Sequence, residues 1–229
     1  MRLLSIQVGL PRELGDPASS DPMDKPWVSG FFKETVSGPV AASRLNLEGD
    51  GQADLRVHGG LDKAINVYPE EHRHYWESEL ELTMPPGAFG ENFTVAGVAE
   101  GDVCIGDVFR IDGITVEISQ PRQPCWKLAR RWRIKELAVL VERSGRTGWY
   151  FRVKEEGTVA APAGMELIER PHPEWTVALA NEIMHRRKSD ADSARRLANC
   201  PALSESWKTS LQRRAEKGAT DTRSRTHGD

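Results

Sequence analysis

Apolar and polar positions alternate in short runs from the N-terminus to about residue 170. Residues 2–8, 30–35, 40–45, 92–95, 108–111, 114–118, 149–153 and 165–169 each read as a strand, bounded by Gly, Pro and Asp turns. This spacing predicts a predominantly β, mixed fold whose sheet curls into a barrel rather than a doubly wound α/β layer. Helical periodicity replaces it at 70–82, 126–132 and 134–143, as excursions from the sheet. Beyond Pro171 and Pro173 the pattern turns polar-helical, over 175–187, 191–199 and 203–217. Within the last of these Leu203, Trp207 and Leu211 recur every fourth residue, a one-sided apolar stripe that must dock on something. The expected organisation is a barrel-like unit over 1–170, a small three-helix unit over 171–217 and, over 218–229, a frayed tail rich in Thr, Arg and Gly.

Composition adds mainly exclusions. A chain of 229 residues, 38% hydrophobic and 28% charged, has room for one substantial core and a small accessory unit. No apolar run approaches bilayer length and the N-terminus lacks a secretory pattern, so a cytoplasmic location and no membrane partner are expected. The three cysteines, Cys104, Cys125 and Cys200, are an odd number at wide spacing, which argues against a disulfide framework and against a C-x-x-C zinc site. Net charge is −3, and the basic runs at Arg130, Arg131, Arg133 and Lys135, at Arg186, Arg187 and Lys188, and at Arg213 and Arg214 read as solvated faces. Nucleic acid is therefore not an expected partner.

Candidate chemistry centres on Cys125. The strand pattern of 114–118 follows an Asp112-Gly113 turn, and Pro121 and Pro124 are expected to end ladder pairing and stiffen the connection. Helical spacing resumes at Trp126, which puts the thiol near a helix N-terminus with Arg122 and Lys127 close by, a setting that favours thiolate. A thiolate can attack an electrophile or ligate a soft metal, whereas an ordinary buried cysteine does neither. A second segment, Arg56-Val57-His58-Gly59-Gly60-Leu61-Asp62-Lys63, joins paired glycines to three basic side chains and suits an anion; by itself it better suits a Gly-Gly turn with solvated charges. Asn92 stands at a strand start after Gly90-Glu91. His72 and His74, two apart on a helix, cannot share one zinc in the i, i+4 manner. Cysteine-based hydrolysis lacks a base placed by the sequence, although His58 could approach in the fold.

Taken together, Gln120-Pro121-Arg122-Gln123-Pro124-Cys125-Trp126-Lys127-Leu128, the Val57-His58-Gly59-Gly60-Leu61-Asp62-Lys63-Ala64 loop and Gly90-Glu91-Asn92-Phe93 resemble the MOSC superfamily. More narrowly they resemble its bacterial YiiM-like group, associated with resistance to N-hydroxylated base analogues such as 6-hydroxylaminopurine. Supporting segments are Ser29-Gly30 with Lys33, the Gly49-Asp50-Gly51-Gln52-Ala53-Asp54 run, and the stretch from Cys200 to Leu211. The resemblance implies a MOSC-type β-barrel with peripheral helices plus a C-terminal three-helix domain. It also implies a molybdopterin-type molybdenum cofactor, with pyridoxal phosphate not expected, and reductive removal of oxygen from an N-hydroxylated small molecule using electrons from a flavoprotein. Carried residue by residue, it places the molybdenum ligand on Cys125 and cofactor contacts on Ser29, Lys33, Arg56, His58, Lys63, Asn92, Gln120, Arg122 and Lys127, with His58 or a water as proton donor. Trp126 departs from the pattern, which has a smaller aromatic there in many relatives. A cofactor or sulfur carrier without reductase activity is the alternative. The helical segment could pair subunits in a homodimer, cover the pocket or dock a partner.

Overall fold

Asp112 and Gly113 close a two-residue hairpin between the strands Val108–Ile111 and Ile114–Pro121, with Ile111 paired to Ile114 and Asp112 in the left-handed region at φ 50°. From this hairpin the sheet continues through Trp149–Glu155, Ile65–Pro69, Phe93–Ala96, Arg2–Val8 and Ala163–Glu169, which pairs back with Val108–Ile111. The ring is a closed seven-stranded barrel, antiparallel except where Ile65–Pro69 runs parallel to Phe93–Ala96. Closure removes the free edges an open sheet would expose. Glu34–Val36 extends the far end of Arg2–Val8, and two small ribbons pair Arg12–Leu14 with Trp27–Ser29 and Val40–Ala42 with Gly157–Val159. The computed structural model describes residues 1–218 and 222–228.

The barrel interior follows from strand alternation. Trp149, Phe151 and Val153 point inward from one strand to meet Phe109, Val116 and Ile118, all at most 2% exposed. Each such side chain contributes roughly 1.5–3 kcal/mol through burial.

Several elements differ from the sequence pattern for identifiable reasons. Ile65–Pro69 carries no alternation because all five of its residues are buried, so a period-two signal never arises. The 30–35 strand is instead a bend between Trp27–Ser29 and Glu34–Val36, where Gly30 crosses so close to Gly51 that a Cβ would lie 2.1 Å from the Gly51 carbonyl oxygen. Ladder pairing does not stop before Pro121: it pairs with Trp149, and the next donor, Arg122 N–H, bonds Gly148 O at 3.0 Å. Proline lacks the N–H but can end a ladder where none is needed. The excursions form as Arg73–Leu80, Trp126–Trp132 and Leu137–Ser144. Among the described residues no helix is long and apolar enough to cross a membrane.

The C-terminal helices Val177–His185, Ala191–Ala198 and Glu205–Lys217 begin on side-chain caps, with Thr176, Asp190 and Ser204 accepting from Leu179, Ser193 and Trp207 N–H groups. Leu203, Trp207 and Leu211, at most 1% exposed, dock on Val177, Ile183 and Leu197 in a core continuous with the barrel interior. Backbone bonds stitch the two together, from Ile105 N–H to Trp175 O and from Ser204 N–H to Ser119 O, both 2.9 Å. The frayed tail expected over 218–229 carries a short helix, Arg223–His227, in which Thr226 is buried and Arg225 pairs with Glu142. Its apolar content is too low to announce it; charge pairing holds it. The part of that tail at 219–221 and 229 lies outside the described residues.

Candidate active site

Cys125 is the N-cap residue of the Trp126–Trp132 helix, in extended backbone at φ −127°, and its side chain makes no capping bond. The preceding loop is fixed at both ends, by the Arg122 N–H bond to Gly148 and by Arg225 donating to Pro124 O. The sulfur, in a residue 8% exposed, forms part of the wall of a half-open cleft enclosing about 630 Å³. Burial by itself raises the thiol; the hydrogen bond and charge of His58, the Arg122 guanidinium and the backbone N–H of Lys127 outweigh it and bring it from 9.0 down to about 7.

The cleft gathers most of the residues singled out in the sequence. Ser29, Lys33, His58, Lys63, Asn92, Arg122 and Lys127 line it with Cys125. Two do not. Arg56 has an 89% exposed side chain and is held by Asp54 through two 3.0 Å bonds, because the Asp54 turn points the guanidinium back on itself. Gln120 is buried beside the helical segment, donating to Pro121 O at 3.1 Å and accepting from Ser206 Oγ at 3.2 Å, so both ends of its amide are engaged.

Two of the lining residues serve the wall more than an incoming molecule. Asn92 spends its amide on Asn66 N–H (3.0 Å) and Gln7 O (3.2 Å), which tie the barrel strands together. Lys33 is buried against Asp50, whose carboxylate also accepts from Gly9 N–H at 3.0 Å; the net charge of this pair is nil. Among the described residues, Arg122, Lys63 and Lys127 are cations of the cleft that form no salt bridge. Arg122 is 4% exposed, and its Nη1 has no partner among the described residues. Lys63 donates to Val57 O at 2.8 Å, and burial lowers its pKa.

Sequence reasoning missed Tyr150, Asn66, Phe31, Phe89 and Gln52 in the lining and Asp50 beneath it. Tyr150 was within reach of the pattern: with Trp149 and Phe151 committed to the core, alternation turns it to the opposite face, in register with Gln120. Burial raises its pKa, so it is a neutral phenol at neutral pH. Asn66 supplies a buried amide oxygen without a partner. No local signal marked it, because the strand that carries it did not register as one.

Chemically, the arrangement offers a readily ionised sulfur, an adjacent imidazole and unpartnered hydrogen-bonding atoms of both signs. Cys104 and Cys200 are also free and buried, but burial raises both thiols. In cofactor-free protein the rate of alkylation of Cys125 by iodoacetamide is therefore expected to climb with pH to a plateau, with a midpoint near 7. An unperturbed cysteine has its midpoint at about 8.5. His58→Ala should move the midpoint upward; an unmoved midpoint removes His58 from the site.

Residues 54–165 match the MOSC domain and residues 175–218 the YiiM-like, 3-alpha helix domain. The chain is 45% identical over 204 residues to the uncharacterized protein YflK of Bacillus subtilis, covering 89% of this chain and 92% of that protein. It is 39% identical over 208 residues to protein YiiM of Escherichia coli, covering 89% and 91%. A Gibberella moniliformis protein named Reductase is 33% identical over 183 residues, which are 76% of this chain but 31% of that longer protein. Among solved structures, the crystal structure of YiiM from Geobacillus stearothermophilus superposes with a TM-score of 0.78 at 34% identity, over 94% of this chain and 100% of that one. The chain belongs to the YiiM family of MOSC-domain proteins, its barrel carrying the MOSC domain and its C-terminal helices the YiiM-like three-helix domain.

Proposed function

We propose that this protein is a molybdenum-cofactor-dependent reductase of N-hydroxylated compounds, such as N-hydroxylated purine bases, with Cys125 as the protein ligand of the metal. One observation carries the reading: a thiol brought down to about 7 shares a cleft with an unpartnered, buried guanidinium nitrogen of Arg122. The donor set fits a molybdopterin-type group. Thiolate sulfur suits a high-valent soft-ligand metal that arrives with dithiolene sulfurs of its own. Among the described residues no three His, Cys, Asp or Glu side chains stand together as a purely protein-built metal cage, so the remaining ligands must come with the cofactor. Arg122 Nη1, Lys63 and Lys127 supply donors for a phosphate, and Asn66 Oδ1 supplies an acceptor for the N–H edge of a pterin. The MOSC assignment and a relative named Reductase support the same reading.

When bound, such a cofactor supplies two-electron redox chemistry able to take the oxygen from an N–OH group. Converting R–NH–OH to R–NH2 consumes two electrons and two protons and releases water; a flavoprotein is the proposed electron donor. The chain's own contributions are positional and electrostatic. Cys125 anchors, Phe31 and Phe89 offer flat walls to a heteroaromatic substrate, and His58, bonded to the sulfur, is placed to hold and move a proton. Its imidazolium form also offsets the negative charge that gathers at the sulfur.

The test is expression in cells able or unable to make the pterin cofactor, followed by elemental analysis and assay of 6-hydroxylaminopurine reduction with a flavin reductase. The expected result is molybdenum close to one per chain and turnover in the first preparation only. Equal turnover in both, or a sulfur adduct on Cys125 with no reduction, overturns the proposal.

A further inference from the structure

On the other side of the Cys125 loop lies a second cleft of about 740 Å³, where the helices Val177–His185, Glu205–Lys217 and Arg223–His227 meet. Its lining is basic, with Lys188, Arg213, Arg214 and Arg225 around Ser210 and the imidazole of His185, which burial keeps neutral at neutral pH. We propose that this cleft is a binding site for a phosphate-class anion, either inorganic phosphate or the phosphate monoester of a small molecule.

Arg214 carries the argument. It is 6% exposed, and although Nη1 donates to Ile183 O (2.8 Å) and Met184 O (2.9 Å), the buried Nε and Nη2 have no partner among the described residues. Charged donors left buried and unbonded are costly, and an outside acceptor of negative charge would relieve that cost. His185 also leaves a buried atom, Nε2, unpartnered among the described residues; its Nδ1 faces Glu142 at 3.3 Å and burial lowers its pKa, so the free Nε2 of the neutral ring is an acceptor that suits a phosphate oxygen still carrying a proton. Among the described residues no carboxylate lines the cleft. Glu142 is spent on His185 and Arg225, and Asp190, the acid whose charge reaches Arg214, is occupied in capping Ser193 N–H at 2.9 Å. Lys188 and Arg213 are exposed and form no ion pair among the described residues. A phosphate oxygen set can meet several of these donors at once, whereas a carboxylate offers two oxygens.

The two clefts share a wall. Gln123 lines both, and Arg225 donates to Pro124 O beside Cys125, so an occupant of the basic cleft bears on the loop that carries the thiol. The inference itself does not rest on the reductase reading, and its test does not use turnover.

Phosphate-free, full-length protein would be titrated calorimetrically with sodium phosphate and, separately, with AMP, against sodium chloride at matched ionic strength. The expected result is one phosphate per chain, with affinity falling about tenfold or more in the Lys188→Ala/Arg213→Ala double variant. Because both side chains are exposed, that variant should keep the wild-type melting temperature without phosphate. AMP binding about tenfold tighter than phosphate identifies an organic ester as the ligand, and equal binding identifies the free ion; both support the site. No heat beyond that of chloride for either probe, or unchanged affinity in the double variant, overturns it.

Discussion

Cys125→Ala is expected to abolish reduction of N-hydroxylated substrates while leaving the fold intact. The sulfur belongs to a residue 8% exposed at a cleft wall, and the side-chain partner its removal releases, His58, is only half-buried in the same cleft. The stability cost should be on the order of 1 kcal/mol, that of deleting one methyl-sized buried group. Activity stands on a different footing, because the proposed metal has this one protein donor. The loss should exceed the roughly 10–100-fold typical of removing a partner outside the coordination shell. Cys125→Ser, which substitutes a hard, protonated oxygen for a soft thiolate, should be nearly as inactive. Circular dichroism, metal content and turnover measured on the same preparation decide the matter. Substantial turnover in metal-replete Cys125→Ala would refute the ligand assignment.

Trp207→Ala is expected to destabilise the whole chain by about 3–5 kcal/mol, a large share of the roughly 5–15 kcal/mol that holds a domain together. Trp207 is 1% exposed, its ring stands edge-on to His185 at 6.3 Å, and its indole N–H has no partner among the described residues, so the loss is one of packing. What makes the variant informative is where the loss is felt. The helices share a continuous core with the barrel and are bonded to it through Ile105 and Ser119. One cooperative transition is therefore expected, displaced to lower temperature for barrel and helices together. The displacement should be about 10 °C. Two separate transitions, with the barrel midpoint unmoved, would show the helices to be an independent unit.

How much of the site was readable beforehand depended on where each residue's constraints lie. Cys125, Arg122 and Lys127 were legible because prolines, a strand pattern and a helical pattern meet within one short segment, and local rules alone put the thiol at a helix start. Lys33 was legible only through resemblance, and His58 was marked locally as one cation of the Gly59-Gly60 loop, but nothing local says that loops around residues 33 and 58 approach residue 125. Arg56 misled because an exposed and a site-lining arginine look alike in sequence; the Asp54 turn decides which it is. Tyr150 and Asn66 went unread for opposite reasons, one because the strand's apolar residues drew attention to the core, the other because a strand buried on both faces has no period to detect.

Local sequence set where the hairpin turns, where the helices start, which face of each alternating strand is apolar, and that a sulfur stands at a strand-to-helix junction beside Arg122 and Lys127. Those properties depend on residues within a few positions of one another. Closure of the barrel into a seven-stranded ring, the merging of helices and barrel into one core, the cancellation of Lys33 by Asp50 and the opening of a second, basic cleft behind the Cys125 loop were decided only in three dimensions. Each depends on groups far apart in the chain whose charges and surfaces meet only after the backbone has closed, so no local pattern could announce them.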